Sequence, residues 1–236
     1  MNRHGNIYTI IYIVVLVTVV GATLAFTSIS LKDKQRVNAD ADKMRQILAS
    51  VNIISEKKDI LNDYEKYIID SYIIDNTGKR LDIEVKAFDV NVAKQSKELQ
   101  DKRLLPIYEC RLDDGSLKYI VPMYGAGLWG PIWGYISVDA DGSTIYGAYF
   151  AHQSETPGLG AEIENEYFGS RFIGKRIIKN HTFTPVAVVK NGKKPMGNQE
   201  YVDGISGATI TSKGVSSMIE NCLTPYAGFL ESLSVE

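Results

Sequence analysis

The amino-acid sequence predicts an α+β protein: one N-terminal transmembrane helix, then a single mixed α+β domain with a largely antiparallel sheet. Three observations carry this. No charged side chain occurs from Gly5 to Leu31, alternating apolar residues broken by turn signals follow Ile107, and a helical apolar stripe closes the chain. Helices, then strands, then helix is the order of an α+β domain. Three stretches follow: an anchor at 1–32, a helical and hairpin part at 33–105, and a strand-rich part with its closing helix at 106–236.

The run Ile7 to Phe26 is dominated by Ile, Val, Leu and Tyr. As a helix rising about 1.5 Å per residue it covers a hydrocarbon core of roughly 30 Å. Arg3 before it and Thr23-Leu24-Ala25 within it also fit a secretory signal, but signal cores run about 7 to 15 apolar residues and this run is longer. Lys32, Lys34 and Arg36 outnumber Arg3, so a literal positive-inside count keeps the large domain cytoplasmic; long domains cross regardless of that count.

Beyond the span, Val37, Met44, Ile47, Leu48 and Val51 recur at helical spacing and predict an amphipathic continuation. Ile60, Leu61, Tyr64, Tyr67 and Ile68 predict a second helix. Tyr72-Ile73-Ile74, the turn Asp75-Asn76-Thr77-Gly78 and the alternating Leu81, Ile83, Val85 and Ala87 predict a hairpin. Residues 89 to 103 read as a solvated helix or loop. Ile107 to Leu112, Leu117 to Met123, Trp133 to Val138 and Thr144 to His152 read as strands joined by Asp-Gly-type turns. Val186 to Lys190 reads as a strand with no evident partner. Val215, Met218, Ile219, Cys222 and Leu223 form the stripe of a helix that Pro225 interrupts, and Phe229 and Leu230 resume its face.

A net charge of −2 leaves no basic face for nucleic acid. Cys110 and Cys222 are far apart, without a CxxC or a neighbouring His, so a metal site is not expected; one disulfide and two buried thiols remain open.

Three segments are too rich in glycine to be routine. Met123 to Pro131, with Tyr124, Leu128 and Trp129, is either a turn plugging the core or a wall of flat apolar groups for a planar ring. His152 to Gly160 packs Pro157, Gly158 and Gly160 around Leu159, forcing a sharp turn that can approach a ligand closely. His152 reads as structural, and Glu155 lacks a partnered base or nucleophile. Residues 203 to 212, DGISGATITS, stand directly before the closing helix. A helix N-terminus there suits a phosphate, while capping by Thr211 or Ser212 is the plainer alternative. No GxxxxGK[ST] loop is present.

Together these segments resemble the covalent-flavin subunits of membrane redox complexes: the C subunit of the sodium-translocating NADH:quinone reductase and the homologous G subunit of the Rnf complex. The resemblance rests on Asp203 with Ser206-Gly207-Ala208-Thr209, a D-x-x-[S/T]-G-A-T pattern, and on Glu155-Thr156-Pro157-Gly158-Leu159-Gly160. Tyr124-Gly125-Ala126-Gly127-Leu128-Trp129-Gly130, with Trp133-Gly134-Tyr135, is similar to the quinone reductase segment in particular. The match covers the anchor and about Ile107 to Leu230; the Lys-rich piece Asn191 to Asn198 carries no family signature.

The resemblance implies that 106–236 is an FMN-binding part and that Thr209 carries FMN through a phosphoester. It implies that Leu128, Trp129 and Leu159 flank the ring, that Glu155, Thr156 and Gly160 contact the flavin or its ribityl chain, and that Asp203 serves a periplasmic flavin transferase. No catalytic residue is expected, because the subunit relays electrons. Its implied partners are subunits A, B, D, E and F of a six-subunit complex that passes electrons from NADH to quinone and exports sodium. It implies a bacterial inner-membrane protein in contact with lipid, its domain on the periplasmic side, against the literal charge count. The span offers only Thr9, Thr18, Thr23 and tyrosines as polar groups, so ion transport is expected in partner subunits. Two alternatives stand beside this: the Rnf G subunit, and a non-redox anchored ligand-binding module.

Overall fold

The computed structural model describes residues 6–179, 182–195 and 198–234; Arg3 and part of the Asn191 to Asn198 piece lie outside them. The chain divides into two compact units, one ending at Lys43 and one running from Met44 onward.

Helix α1 (Asn6–Ala49) supplies the first unit, and its last turns belong to the second. Within the first unit the apolar run is long and apolar enough to cross a membrane, and its side chains face outward. Its hydroxyls are satisfied along the helix: Thr18, Thr23 and Thr27 each donate to the carbonyl one turn back, at 2.7 to 2.8 Å. Such internal satisfaction is what a segment surrounded by hydrocarbon requires.

The second unit is built on a five-stranded antiparallel meander, β1 (Ile68–Ile74), β2 (Leu105–Arg111), β3 (Leu117–Ala126), β4 (Pro131–Asp139) and β5 (Ile145–His152), in that spatial order. Its pleat sorts the sequence onto two faces. Leu105, Ile107, Tyr119, Val121, Met123, Ile132 and Ile136 point to one core, while Tyr108, Cys110, Ile120 and Tyr135 point to the other.

The second face is covered by Ile47 in the last turn of α1 and Val51 just after it, with Tyr64 of α2 (Ile60–Tyr67) at its border. Polar contacts pin this layer: Trp133 Nε1 donates to Gln46 Oε1 at 2.9 Å, and Ser137 Oγ donates to the Ser50 carbonyl at 2.5 Å. Residues 89 to 103 form the short helix α3 (Val92–Gln95) and single turns, as their solvated reading anticipates.

The predicted hairpin after Ile74 does not form. Asp75 to Gly78 make the turn, and the returning main chain meets β1 through an Ile74–Arg80 bridge and a Leu81 N–H to Ile73 carbonyl bond at 2.8 Å, while the Arg80 side chain reaches Asp70 and Tyr72. Ile83 and Val85 lie exposed, and β1 instead takes β2 as its partner. The β2 strand offers a full ladder and a buried face, which the short alternation from Leu81 does not.

The first face is covered in part by helix α4 (Glu166–Ser170) and the two-residue strands β6 (Ile178–Lys179) and β7 (Thr182–Phe183), which contribute Phe168, Ile178 and Phe183. Strand β8 (Ala187–Val189), the one left without a partner in the sequence, pairs in parallel with β9 (Tyr201–Asp203). Helix α5 (Thr209–Leu223) lays Val215, Met218, Ile219, Cys222 and Leu223 on the sheet, all buried, and α6 (Ala227–Leu233) adds Phe229 and Leu230. Each such side chain contributes roughly 1.5–3 kcal/mol of transfer free energy. Cys110 and Cys222 are both free and buried, which selects the two-thiol reading.

Candidate functional site

The meander brings the three glycine-rich segments together. The first forms the tip of the β3–β4 hairpin, closed by a Gly127 N–H to Gly130 carbonyl bond at 2.8 Å. The second leaves the sheet where β5 ends, beside that hairpin, since His152 stands opposite Ile132 on β4. The third arrives with the N-terminus of α5, which packs so closely on β3 that a Cβ at Gly214 would overlap the Ala126 carbonyl.

Glu155 fastens the three. Only 4% exposed, it accepts the Trp129 N–H on Oε1 at 2.8 Å and the Thr211 hydroxyl on Oε2 at 2.6 Å. The Leu128 and Gly130 N–H groups also face it, so the carboxylate sits in a nest of three successive backbone donors. Burial pushes this carboxyl up, but the Thr211 bond and the nest outweigh it and hold Glu155 below the ordinary glutamate range. A buried charge requires such full pairing. Gly127 and Gly160 make the room, because a Cβ on either would overlap a carboxylate oxygen. His152 Nδ1 accepts the Glu155 N–H at 3.2 Å and its Nε2 lies 3.6 Å from Glu164, so it is a structural residue as read from the sequence.

Thr209 opens α5 and is exposed. The predicted cap by Thr211 or Ser212 does not exist. Ala208 is the N-cap and has no capping side chain, and the first main-chain bond closes at Ser212 N–H to Ala208 carbonyl, 2.9 Å. Thr211 turns inward to Glu155, while Ser212 Oγ accepts the Ile205 N–H at 3.0 Å. Both lie too far along the helix to reach its first N–H groups, which are left without an acceptor inside the helix. Gly207 supplies the left-handed turn into the helix, φ +79°, with Leu159 against it. Asp203 ends β9, where its carbonyl receives Arg171 Nη1 at 2.8 Å.

The glycine-rich segments joined by Glu155 leave apolar side chains in the open: Leu128, Trp129 and Leu159 are 47%, 67% and 41% exposed. Thr156 is exposed and its carbonyl accepts the Leu159 and Ala161 N–H groups, which closes the turn around Leu159. Ser206 is exposed, Ala208 and Gly160 buried. A groove of about 470 Å³ runs past Ser206, Gly207 and Thr209 between β8 and the start of α5. A second, of about 830 Å³, lies across α5 between Ile210, Lys213, Tyr124 and Arg103. Thus the structure joins the three segments singled out from the sequence through Glu155 and the contact of Leu159 with Gly207, while Asp203 meets Arg171 through its carbonyl.

The exposure of Ile210 and the inward role of Thr211 escape the sequence reading, which offered Thr211 only as a cap. Ile210 is 57% exposed beside Thr209, and Thr211 is the buried partner of Glu155. Both carry a signal: the buried stripe of α5 extends back from Val215 to Thr211, four residues earlier, and leaves Ile210 off it.

Residues 127–224 match the family model described as an FMN-binding domain. The chain is similar to the C subunit of Na(+)-translocating NADH-quinone reductase from Vibrio anguillarum, 35% identical over 91% of this chain and 89% of that one. It is similar to the subunit of the same name from Yersinia pestis, 31% identical over 89% and 85%. Among solved structures, the C subunit from Parabacteroides distasonis superposes with a TM-score of 0.78 at 46% identity, covering 85% of this chain and 96% of that one. Shewanella oneidensis NqrC gives 0.68 at 25% identity, covering 84% and 100%.

Proposed function

We propose, on the premise that the chain belongs to the NqrC family, the C subunits of Na(+)-translocating NADH-quinone reductases, that it is an electron relay holding FMN covalently on Thr209. The observation that carries this reading is an exposed Thr209 at a helix N-terminus without a side-chain cap, on a helix that Glu155 ties to the segment of exposed Leu128 and Trp129, with Leu159 against Gly207.

The residues fit the group. A phosphodiester on Thr209 lies where the first N–H groups of α5 lack acceptors and the helix dipole is positive. Leu128, Trp129 and Leu159 offer apolar surface for an aromatic ring. FMN, when bound, supplies the electron chemistry. The chain's own work is position. Glu155, with its oxygens bonded inside the protein, acts on Leu128 and Trp129 through their N–H groups and on α5 through Thr211. Gly160 leaves room for that carboxylate, Gly207 sets the turn, and Ser206 and Thr156 offer exposed hydroxyls on the rim. Asp203 and the Ser206-Gly207-Ala208-Thr209 run are the recognition element for a periplasmic flavin transferase. A tether in place of a deep pocket leaves the flavin reachable by more than one partner.

The subunit works with subunits A, B, D, E and F in a translocase that passes electrons from NADH to quinone and exports sodium, anchored in the inner membrane by α1 with its domain in the periplasm. The reading as an Rnf G subunit yields to the family membership. Thr209→Ala is expected to keep the fold and to lose flavin fluorescence on a denaturing gel, with intact mass lower by the FMN phosphoryl adduct. A fluorescent band persisting in Thr209→Ala, or no added mass on the native chain, would refute the assignment. The second outcome favours a non-covalent ligand-binding module.

A further inference from the structure

The chain's charge is unevenly distributed. From Tyr167 to Gln199, 33 residues contain seven Lys and Arg and no Asp or Glu. The rest of the chain is left with 19 basic against 28 acidic side chains. Part of the basic excess is neutralised locally, where Lys175 and Lys179 lie 3.6 and 2.9 Å from Glu200, while Arg171 is occupied by the Asp203 carbonyl. Lys190, Lys193 and Lys194 of this stretch, with Lys213 of α5, have no such partner among the described residues, and all four line the groove that runs past Thr209. Among the described residues, no acidic side chain lines it.

The cofactor does not account for this much charge. A phosphodiester carries one negative charge, and the start of α5 already offers N–H groups for it. Nor do solvated lysines gather of themselves: like charges repel, and among the described residues no acidic side chain lines the groove beside them.

We propose that Lys190, Lys193 and Lys194, on the connection between β8 and β9, form a docking surface for an acidic face of a protein electron partner. The partner is bound by charge at the lip of the Thr209 groove. The surface rests on the electron-relay reading given above. A one-signed patch at a redox site steers encounter and fixes orientation, and contributes more to rate than to affinity. The lysines therefore bring the partner to the groove that Thr209 lines.

The test uses the assembled complex in native membranes. A carbodiimide, which joins an amine to a carboxylate already in ion-pair reach, is expected to link Lys190, Lys193 or Lys194 to Asp or Glu of another subunit. Lys66, held 2.8 Å from Asp113 within the domain, serves as the internal control. The double variant Lys193→Glu/Lys194→Glu is expected to slow electron passage through this subunit about tenfold or more at low ionic strength. The difference should shrink to less than about twofold near 1 M salt, where the Debye length is roughly 3 Å. Flavin fluorescence should be unchanged. Cross-links confined to this chain, or rates that ignore the charge reversal, would overturn the proposal. Loss of flavin from the variant would overturn it too, by assigning the lysines to the cofactor. Failure of the covalent-flavin reading is distinguishable: the native chain itself would then show no fluorescent band, whatever the cross-links.

Discussion

Thr211→Val removes one hydroxyl and keeps the shape of a residue that is 1% exposed. The hydroxyl donates at 2.6 Å to Glu155 Oε2, and a hydrogen bond to a charged group is worth roughly 1.5–3 kcal/mol. For a domain of this size about 1 kcal/mol moves the melting point by roughly 2–4 °C, so a fall of about 3–12 °C is expected. The pH dependence gives a second readout. Glu155 is depressed in the folded state, so it contributes stability that is present above its ordinary value of 4.5 and lost as the pH falls through the folded value. Removing a bond that favours the carboxylate raises that folded value, so the acid-unfolding midpoint of Thr211→Val should move to higher pH. Thr211→Ser, which restores the donor, should recover most of both. Full-length protein in detergent, melted by near-UV circular dichroism from about pH 3 to 7, measures all three. An unchanged melting point together with an unchanged acid midpoint would refute the role given to the Glu155–Thr211 bond.

Other perturbations separate site from scaffold. Trp129→Ala, at a side chain 67% exposed, should change stability by less than about 0.5 kcal/mol while altering the fluorescence of the bound flavin; emission identical to the native protein would show that the indole does not meet the ring. Ile219→Ala, at a fully buried position of α5, should cost about 2–5 kcal/mol in denaturant titration, and a loss under about 1 kcal/mol would contradict the packing described. The Cys110 thiol, pushed up to about 12 by burial, and that of Cys222, also raised by burial, should resist thiol reagents at about pH 8 in the native protein, and both should react once it is unfolded.

Much of the fold was legible because it was written in local pattern. The period-2 runs from Ile107 to His152 became β2 to β5 with nearly the expected ends, and the stripe from Val215 to Leu223 became the buried face of α5. What failed was decided over long distances. Leu81, Ile83, Val85 and Ala87 alternate as a strand does, but β1 found a better partner further along the chain, and no local signal ranks two candidate partners. The partner of Val186 to Lys190 was equally unreadable, since β9 is only three residues long and parallel to β8. In the candidate site, residue types pointed to three segments that the fold brings together. Their joint was hidden, because Glu155 and Thr211 are 56 residues apart and each alone looks ordinary.

Thr209 and Thr211 are the same residue type, two positions apart, and their fates are opposite. On a helix of about 3.6 residues per turn, two steps rotate a side chain by roughly 200°. That rotation leaves one threonine facing solvent and sends the hydroxyl of the other to a buried carboxylate. On the covalent-flavin reading, selectivity between them needs no chemical discrimination by the attaching enzyme, since helical phase has already hidden one of the two hydroxyls. A single residue inserted between them would shift that phase by about 100° and break the division of labour without altering any side chain.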